Sequence, residues 1–260
     1  MRFAEPTHVR ALAPFMLFLL TGASYTTEIP SVAVEEARVE IAVPAFTVDA
    51  TTAATDAALD ALARHVTRMS DPEALRTAFQ AYFRYRESQP DRVRKPYLYF
   101  VDLGLDNLTP RGYVFDMEKL AVVEGPFAVA HGRGSARTRN GVPTKFSNRA
   151  GSNSSALGLY LGQETYEFSG KVAGRAYRSV GLRMRGESGA FNDAARPRGI
   201  VAHGAPYVTA QGAGRSEGCP AMELQRANRL LPMLANGGVV FIFSPNDQRW
   251  LSEDPWVNAD

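Results

Sequence analysis

The periodicity of the chain changes at Pro96, and that change constrains the fold more than any other feature. Before it, apolar residues recur every three or four positions, the spacing of a helix face. Leu59, Leu62, Ala63 and Val66 predict an amphipathic helix over residues 47–69. Ser70-Asp71-Pro72-Glu73 reads as a helix start, with a capping side chain followed by Pro in the first turn. Leu75, Phe79, Tyr82 and Phe83 continue a second helix that ends before Gln89-Pro90. After Pro96 the signals are short, aromatic and β-branched, separated by polar turns. Residues 97–101 (YLYFV), 113–115, 120–123, 127–129, 158–161, 180–184 and 199–202 read as strands. Residues 116–119 between two of them read as a hairpin turn. The run 239–243 (VVFIF) is unbroken and apolar, fit for the centre of a sheet. A helical preface over 47–90 and one β-rich domain over 96–245 follow, with residues 246–260 left as a C-terminal tail.

The first residues read as an address. Arg2 and Arg10 precede an apolar run of ten (ALAPFMLFLL), and small residues end at Ala23. That order is a secretory signal over 1–23, and the run is too short for a permanent span. A buried N-terminal helix is the alternative. Residues 24–46 lack a period and read as a tether. The expected location is then outside the cytoplasm, in the periplasm or cell envelope.

Charge and cysteine count exclude several classes. Lys and Arg total 29 against 27 Asp and Glu, so a binder that neutralises nucleic-acid phosphates is not expected. One Cys forbids an internal disulfide, and four dispersed His are too few for a Cys/His zinc site. No metal or organic cofactor is expected. The chain has neither a Gly-Lys-Ser/Thr phosphate loop nor a G-x-S-x-G elbow.

The chemistry concentrates in residues 199–222, GIVAHGAPYVTAQGAGRSEGCPAM. His203 closes a strand, and Cys219 follows a Gly-rich loop. Pro220 comes next, and Ala227, Leu230, Leu231 and Leu234 form a helical stripe. This predicts a helix beginning at Pro220 with Cys219 at its cap. Unpaired backbone N–H groups there favour negative charge, lower a thiol pKa and could hold an oxyanion at Gly218 and Cys219. A strand-end His and a reactive Cys are a nucleophile pair in outline. The competing reading is a small buried Cys and a hydrogen-bonded core His. His131 is a rival base, because Val129-Ala130-His131-Gly132 mimics Val201-Ala202-His203-Gly204. His65 reads as a surface residue.

Several stretches together resemble the peptidoglycan L,D-transpeptidases of the YkuD-like family, and more closely the murein L,D-transpeptidase catalytic domain subgroup. They are YVFDMEKLAVVEGPFAVAHGRGS, KFSNRAGSNSSALGLY, FNDAARPRGIVAHGAPYV, GRSEGCPA and GGVVFIF. The resemblance runs over roughly residues 97–243, and His-Gly followed by Ser-x-Gly-Cys is the specific part. The resemblance implies an α+β fold with a β-rich, sandwich-like or open-barrel sheet. It implies acyl transfer by Cys219 with His203 as base, Gly204 orienting His203 through its carbonyl, and Ser216 and Gly218 as motif residues. The donor would be a stem tetrapeptide losing its terminal D-Ala, and an amine would accept the acyl group.

Glu217 departs from the family, which has His or an aromatic residue there. A buried carboxylate beside Cys219 would raise the thiol pKa; an exposed one could bind the incoming amine. Arg215 could pair with a stem carboxylate, Arg198 has a similar reading, and Ser147 and Asn148 could line a groove. Each has a plain alternative: a solvated charge or a turn residue. Two other functions stay open. Water could replace the amine, giving an L,D-carboxypeptidase, or the chain could be an inactive wall-binding scaffold.

Overall fold

The computed structural model describes residues 48–258. The expected signal and tether therefore lie outside the described residues. Helix α1 (Val48–Leu62) runs into a 3-10 turn and α2 (Ala74–Ser88) follows. Leu75, Ala78, Phe79, Tyr82 and Tyr85 turn one face of α2 into the core, as their spacing predicts. The helix starts later than expected. Ser70 gives its N–H and hydroxyl to the Asp102 carboxylate, at 2.7 and 2.6 Å, so it anchors the lead-in to the sheet and caps no helix.

The body is a mixed sheet of eight strands that does not close on itself. In chain order its members are β1 (Tyr97–Asp102), β2 (Gly112–Asp116) and β3 (Ala121–Phe127), then, after the short β4 (His131–Gly132), β5 (Gly158–Val172), β6 (Arg175–Gly186) and β7 (Val201–Gly204). After β8 (Val208–Thr209), β9 (Gly212–Ala213) and β10 (Arg215–Ser216) come β11 (Ala221–Met222), α3 (Leu224–Leu234), β12 (Val239–Phe243) and α4 (Gln248–Glu253). The sheet order is β11-β7-β6-β5-β12-β1-β2-β3, and β10-β4 and β8-β9 form two small ribbons. The fold class is α+β.

Strand β12 sits inside the sheet, parallel to β1 and antiparallel to β5, with all five residues buried. An interior strand buried on both faces needs a continuous apolar run, which VVFIF supplies. Asp116 turns the β2–β3 hairpin by accepting from the Glu118 and Lys119 N–H groups. The strands read at 158–161 and 180–184 are only the inner ends of a long hairpin. Its outer arms pair Thr165–Val172 with Arg175–Leu182, and Ala173 and Gly174 turn it with positive φ.

Two further expectations fail. The helix after Cys219 begins at Leu224, because Ala221 and Met222 pair with His203 and Gly204 as strand β11. The segment expected as a tail forms α4. Asp247 caps it by accepting the Trp250 N–H at 3.0 Å, and the fully buried Trp250 packs on Phe241 and Phe243. Among the described residues no helix is long and apolar enough to cross a membrane.

Candidate active site

Strands β7 and β11 run parallel, with Ala221 opposite His203. The His203 N–H donates to the Pro220 carbonyl at 3.3 Å. The backbone of Cys219, two residues before Ala221, thus comes level with the first residue of β7. Its Sγ lies 4.0 Å from the Gly199 carbonyl oxygen. The His203 ring is nearly buried, with the edge of Phe168 against it at 5.7 Å between centroids. Its Nδ1 is 3.0 Å from the Gly204 carbonyl oxygen. A carbonyl only accepts, so Nδ1 carries the proton and Nε2 the lone pair. No hydrogen bond joins the Cys219 and His203 side chains. In free enzymes such contacts are often long and tighten with substrate.

The loop into Cys219 is held by two hydroxyls. Ser216 Oγ donates to the Cys219 carbonyl at 2.7 Å and accepts the Gly218 N–H at 3.1 Å. Ser155 Oγ donates to the Gly218 carbonyl and accepts the Gly132 N–H, both at 3.0 Å. Gly218 has φ +132°, and a Cβ there would lie 2.8 Å from Ile200 Cδ1 and 3.0 Å from the Ser154 carbonyl. Only glycine suits that backbone and that gap. The expected oxyanion pair is reduced, since the Gly218 N–H already serves Ser216. The Cys219 N–H has no partner among the described residues.

Burial pushes the part-buried Cys219 thiol above its ordinary value, and the Val201 N–H and the Arg198 charge oppose that rise; Glu217 adds slightly to it. The helix-start argument for a low thiol pKa fails, because α3 begins five residues later and a dipole acts only over the terminal turn. Burial lowers His203 below its ordinary value, while Gly204 works the other way. At neutral pH the pair is therefore a neutral thiol and a neutral imidazole. Burial raises Tyr160, Tyr166, Tyr177 and Tyr207, and a negative charge on Cys219 would raise each of them further. The sequence reading missed these four as site residues. The alternation of Tyr166 and Phe168 with Glu167 and Ser169 was the signal for the hairpin that carries Tyr160, Tyr166 and Tyr177.

The L,D-transpeptidase catalytic domain profile (YkuD_2) matches residues 67–243. The chain belongs to this family. As an L,D-transpeptidase family chain it also resembles solved structures, though distantly. An L,D-transpeptidase from Mycobacterium smegmatis is 13% identical, with TM-score 0.35, covering 57% of this chain and 58% of that one. One from Mycobacterium tuberculosis H37Rv is 12% identical, with TM-score 0.32 and 57% coverage of both. One from Stackebrandtia nassauensis is 13% identical, with TM-score 0.35, covering 75% and 92%. The chain thus spans under two thirds of the length of the two mycobacterial proteins. At these scores the likenesses carry no argument. No curated protein sequence matches.

In this L,D-transpeptidase family chain several residues expected to face substrate are occupied internally. Asn148 donates to the Ala190 carbonyl at 3.0 Å and to Asp193 at 2.6 Å, and accepts the Ala194 N–H at 3.2 Å. Ser147 accepts the Arg149 N–H on its hydroxyl at 3.1 Å, and its carbonyl accepts from Arg198. Arg198 is spent on that loop, donating to Ser147, Ser152 and Ser154. Glu217 is neither buried nor against the sulfur: its side chain is 73% exposed and 3.2 Å from Arg133. Arg215 is exposed and joins no ion pair among the described residues.

The rival His131 is fully buried, with Nδ1 2.8 Å from Arg111 Nη2. A guanidinium only donates, so Nδ1 accepts. Burial, with Arg111 and Arg215 nearby, pushes His131 down to about 3. Its side-chain partner is thus a cation.

Proposed function

We propose that this chain is a peptidoglycan L,D-transpeptidase working by cysteine acyl transfer. The observation that carries the reading is the β7–β11 ladder, which pairs Ala221 with His203 and so brings the Cys219 backbone level with the strand that ends in His203, whose Nδ1–H is fixed on the Gly204 carbonyl. His203 Nε2 is then left as the base. It takes the Sγ proton as the sulfur attacks the L-centre carbonyl of the third stem residue. The Cys219 N–H donates to the developing oxyanion. The tetrahedral centre collapses, the C–N bond breaks, and D-Ala leaves with the proton held by His203. An amine of a second stem then attacks the thioester, gives its proton to Nε2, and the Cys219 sulfur leaves and is reprotonated. The new amide is a 3-3 cross-link or a related wall modification.

Arg215 has the exposure and charge to meet a donor carboxylate as a bidentate fork. Glu217 has the exposure to meet the acceptor amine. The substrates place the working protein in the periplasm or cell envelope, in line with the exported N-terminus read from the sequence.

The test is mass spectrometry of purified tetrapeptide muropeptides incubated with wild type and with Cys219→Ala. A cross-linked dimer and free D-Ala, made by wild type alone, are expected. Tripeptide with free D-Ala and no dimer would make water the acceptor and the chain an L,D-carboxypeptidase. No product and no acyl adduct on Cys219 would overturn both enzymatic readings in favour of a wall-binding module.

A further inference from the structure

Arg198 stands one residue before Gly199, whose carbonyl faces Cys219 Sγ at 4.0 Å. Its guanidinium donates to the carbonyls of Ser147 and Ser154, at 2.7 and 2.9 Å, and to the Ser152 hydroxyl at 3.3 Å. All three are neutral oxygens, and Arg198 joins no ion pair among the described residues. An atom placed as a Cβ on Gly218 would lie 3.6 Å from Arg198 Nη2 and 3.0 Å from the Ser154 carbonyl that Arg198 holds. The guanidinium thus reaches the residue next to the nucleophile with its charge uncompensated.

The other titratable groups around the sulfur cannot supply that charge. Tyr160 and Tyr166 on β5, Tyr177 on β6 and Tyr207 before β8 are neutral phenols, each shifted upward. His203 on β7 is biased toward its neutral form. Glu217 carries the opposite sign and is paired with Arg133 in solvent. Helix α3 starts too far along the chain to present its N-terminus.

We propose that Arg198 is a positioning residue for Cys219, whose charge favours the thiolate and whose three hydrogen bonds hold residues 147–154 against the nucleophile loop. This deepens the proposed function and rests on Cys219 being its nucleophile. The role differs from the substrate contact expected from sequence, because the guanidinium's hydrogen bonds are made inside the protein. A cation beside a sulfur lowers the cost of moving the proton to His203, whichever peptide is bound.

The test uses the single Cys of the chain. Wild type, Arg198→Lys and Arg198→Gln, as full chains, are alkylated with iodoacetamide between about pH 7 and 10.5. The thiolate displaces iodide, and intact mass reads the rate. In Arg198→Gln the inflection is expected to rise by about one pH unit, the size of effect one nearby charge produces. In Arg198→Lys, which keeps the charge but not the three-way grip, the inflection is expected to stay near wild type. Muropeptide turnover is expected to fall about tenfold in Arg198→Gln and to be partly restored by Lys. A folded Arg198→Gln with the wild-type inflection would overturn the proposal. So would a rise in Arg198→Lys of about one pH unit, a readout that stands even where the Gln variant does not fold. Alkylation needs no peptide. Shifts as expected with no muropeptide turnover by wild type would therefore sink the transpeptidase reading while supporting the charge effect of Arg198.

Discussion

Ser216 closes a ring onto Cys219: its hydroxyl donates to the Cys219 carbonyl at 2.7 Å while it accepts the Gly218 N–H at 3.1 Å. The motif serine therefore acts on the backbone around the nucleophile. It orients the Cys219 peptide and removes the Gly218 N–H from any oxyanion site. That leaves the Cys219 N–H, which has no partner among the described residues, as the motif's remaining donor.

Ser216→Ala leaves two buried backbone groups without that partner, which costs about 1–3 kcal/mol. A lower melting temperature and a loss of about tenfold or more in kcat are expected, with Ser216→Thr retaining most of both. Thermal melts and muropeptide turnover read the two effects. Full turnover in a folded Ser216→Ala would show that the loop does not depend on this hydroxyl.

Gly218→Ala forces a side chain into a backbone with φ +132° and against Ile200 Cδ1 at 2.8 Å. Strain of about 1–3 kcal/mol follows, and the Cys219 backbone must move to relieve it. The expected variant is folded, melts earlier and turns over at well under a tenth of the wild-type rate, since small displacements of a nucleophile are costly. Near-normal turnover at an unchanged melting temperature would contradict the tight fit.

The pH profile follows from the two shifts. His203 must be unprotonated to act as base, and its pKa lies below the ordinary 6.5. The Cys219 thiol titrates above the ordinary 9.0. So kcat/KM is expected to hold flat across the neutral range and to fall only as pH drops through a value below 6.5. His203→Ala should lose that acid limb and show a slow rate climbing with thiolate above neutrality. Loss of activity on the alkaline side as an imidazolium deprotonates, with the acid limb set by a depressed thiol, would point instead to a thiolate–imidazolium resting pair.

Glu217 and Arg133 are 73% and 56% exposed, so their pairing contributes little to stability. Glu217→Gln should leave the melting temperature unchanged within error. Its carboxylate slightly disfavours the thiolate, so the alkylation inflection should move down, by less than Arg198→Gln moves it up. Transfer to an amine acceptor should weaken while release of D-Ala by water is unaffected. Unchanged acceptor use in both Glu217→Gln and Glu217→Trp would remove any role for the residue.

Much of this was legible along the chain, and the misses have a common cause. The apolar run at 239–243 and the stripe Ala227, Leu230, Leu231 and Leu234 declared themselves because burial imposes a period on neighbouring residues. His203 and Cys219 stood out through the motif around them, and His203 Nδ1 is 3.0 Å from the Gly204 carbonyl oxygen. Pro220 misled, because the cue for a first helical turn also suits a residue leading into a short edge strand. Ser70 misled in the same way, since its capping chemistry was claimed by Asp102, thirty-two positions away. Asn148 and Arg198 looked like groove residues because polarity shows in sequence while the partner does not.

The sequence by itself determined the local material: two amphipathic helices, a set of short strands, a glycine that alone tolerates its place before Cys219, and a thiol and an imidazole within one motif. Tertiary structure decided what those groups became. Pairing of Ala221 with His203 ended the expected helix start and took its dipole away from the sulfur. Burial then raised the thiol and lowered the imidazole, and folding brought Arg198 Nη2 to within 3.6 Å of the Cβ position of Gly218. Hydrogen-bond partners and desolvation depend on residues distant in the chain, so no local pattern encodes them.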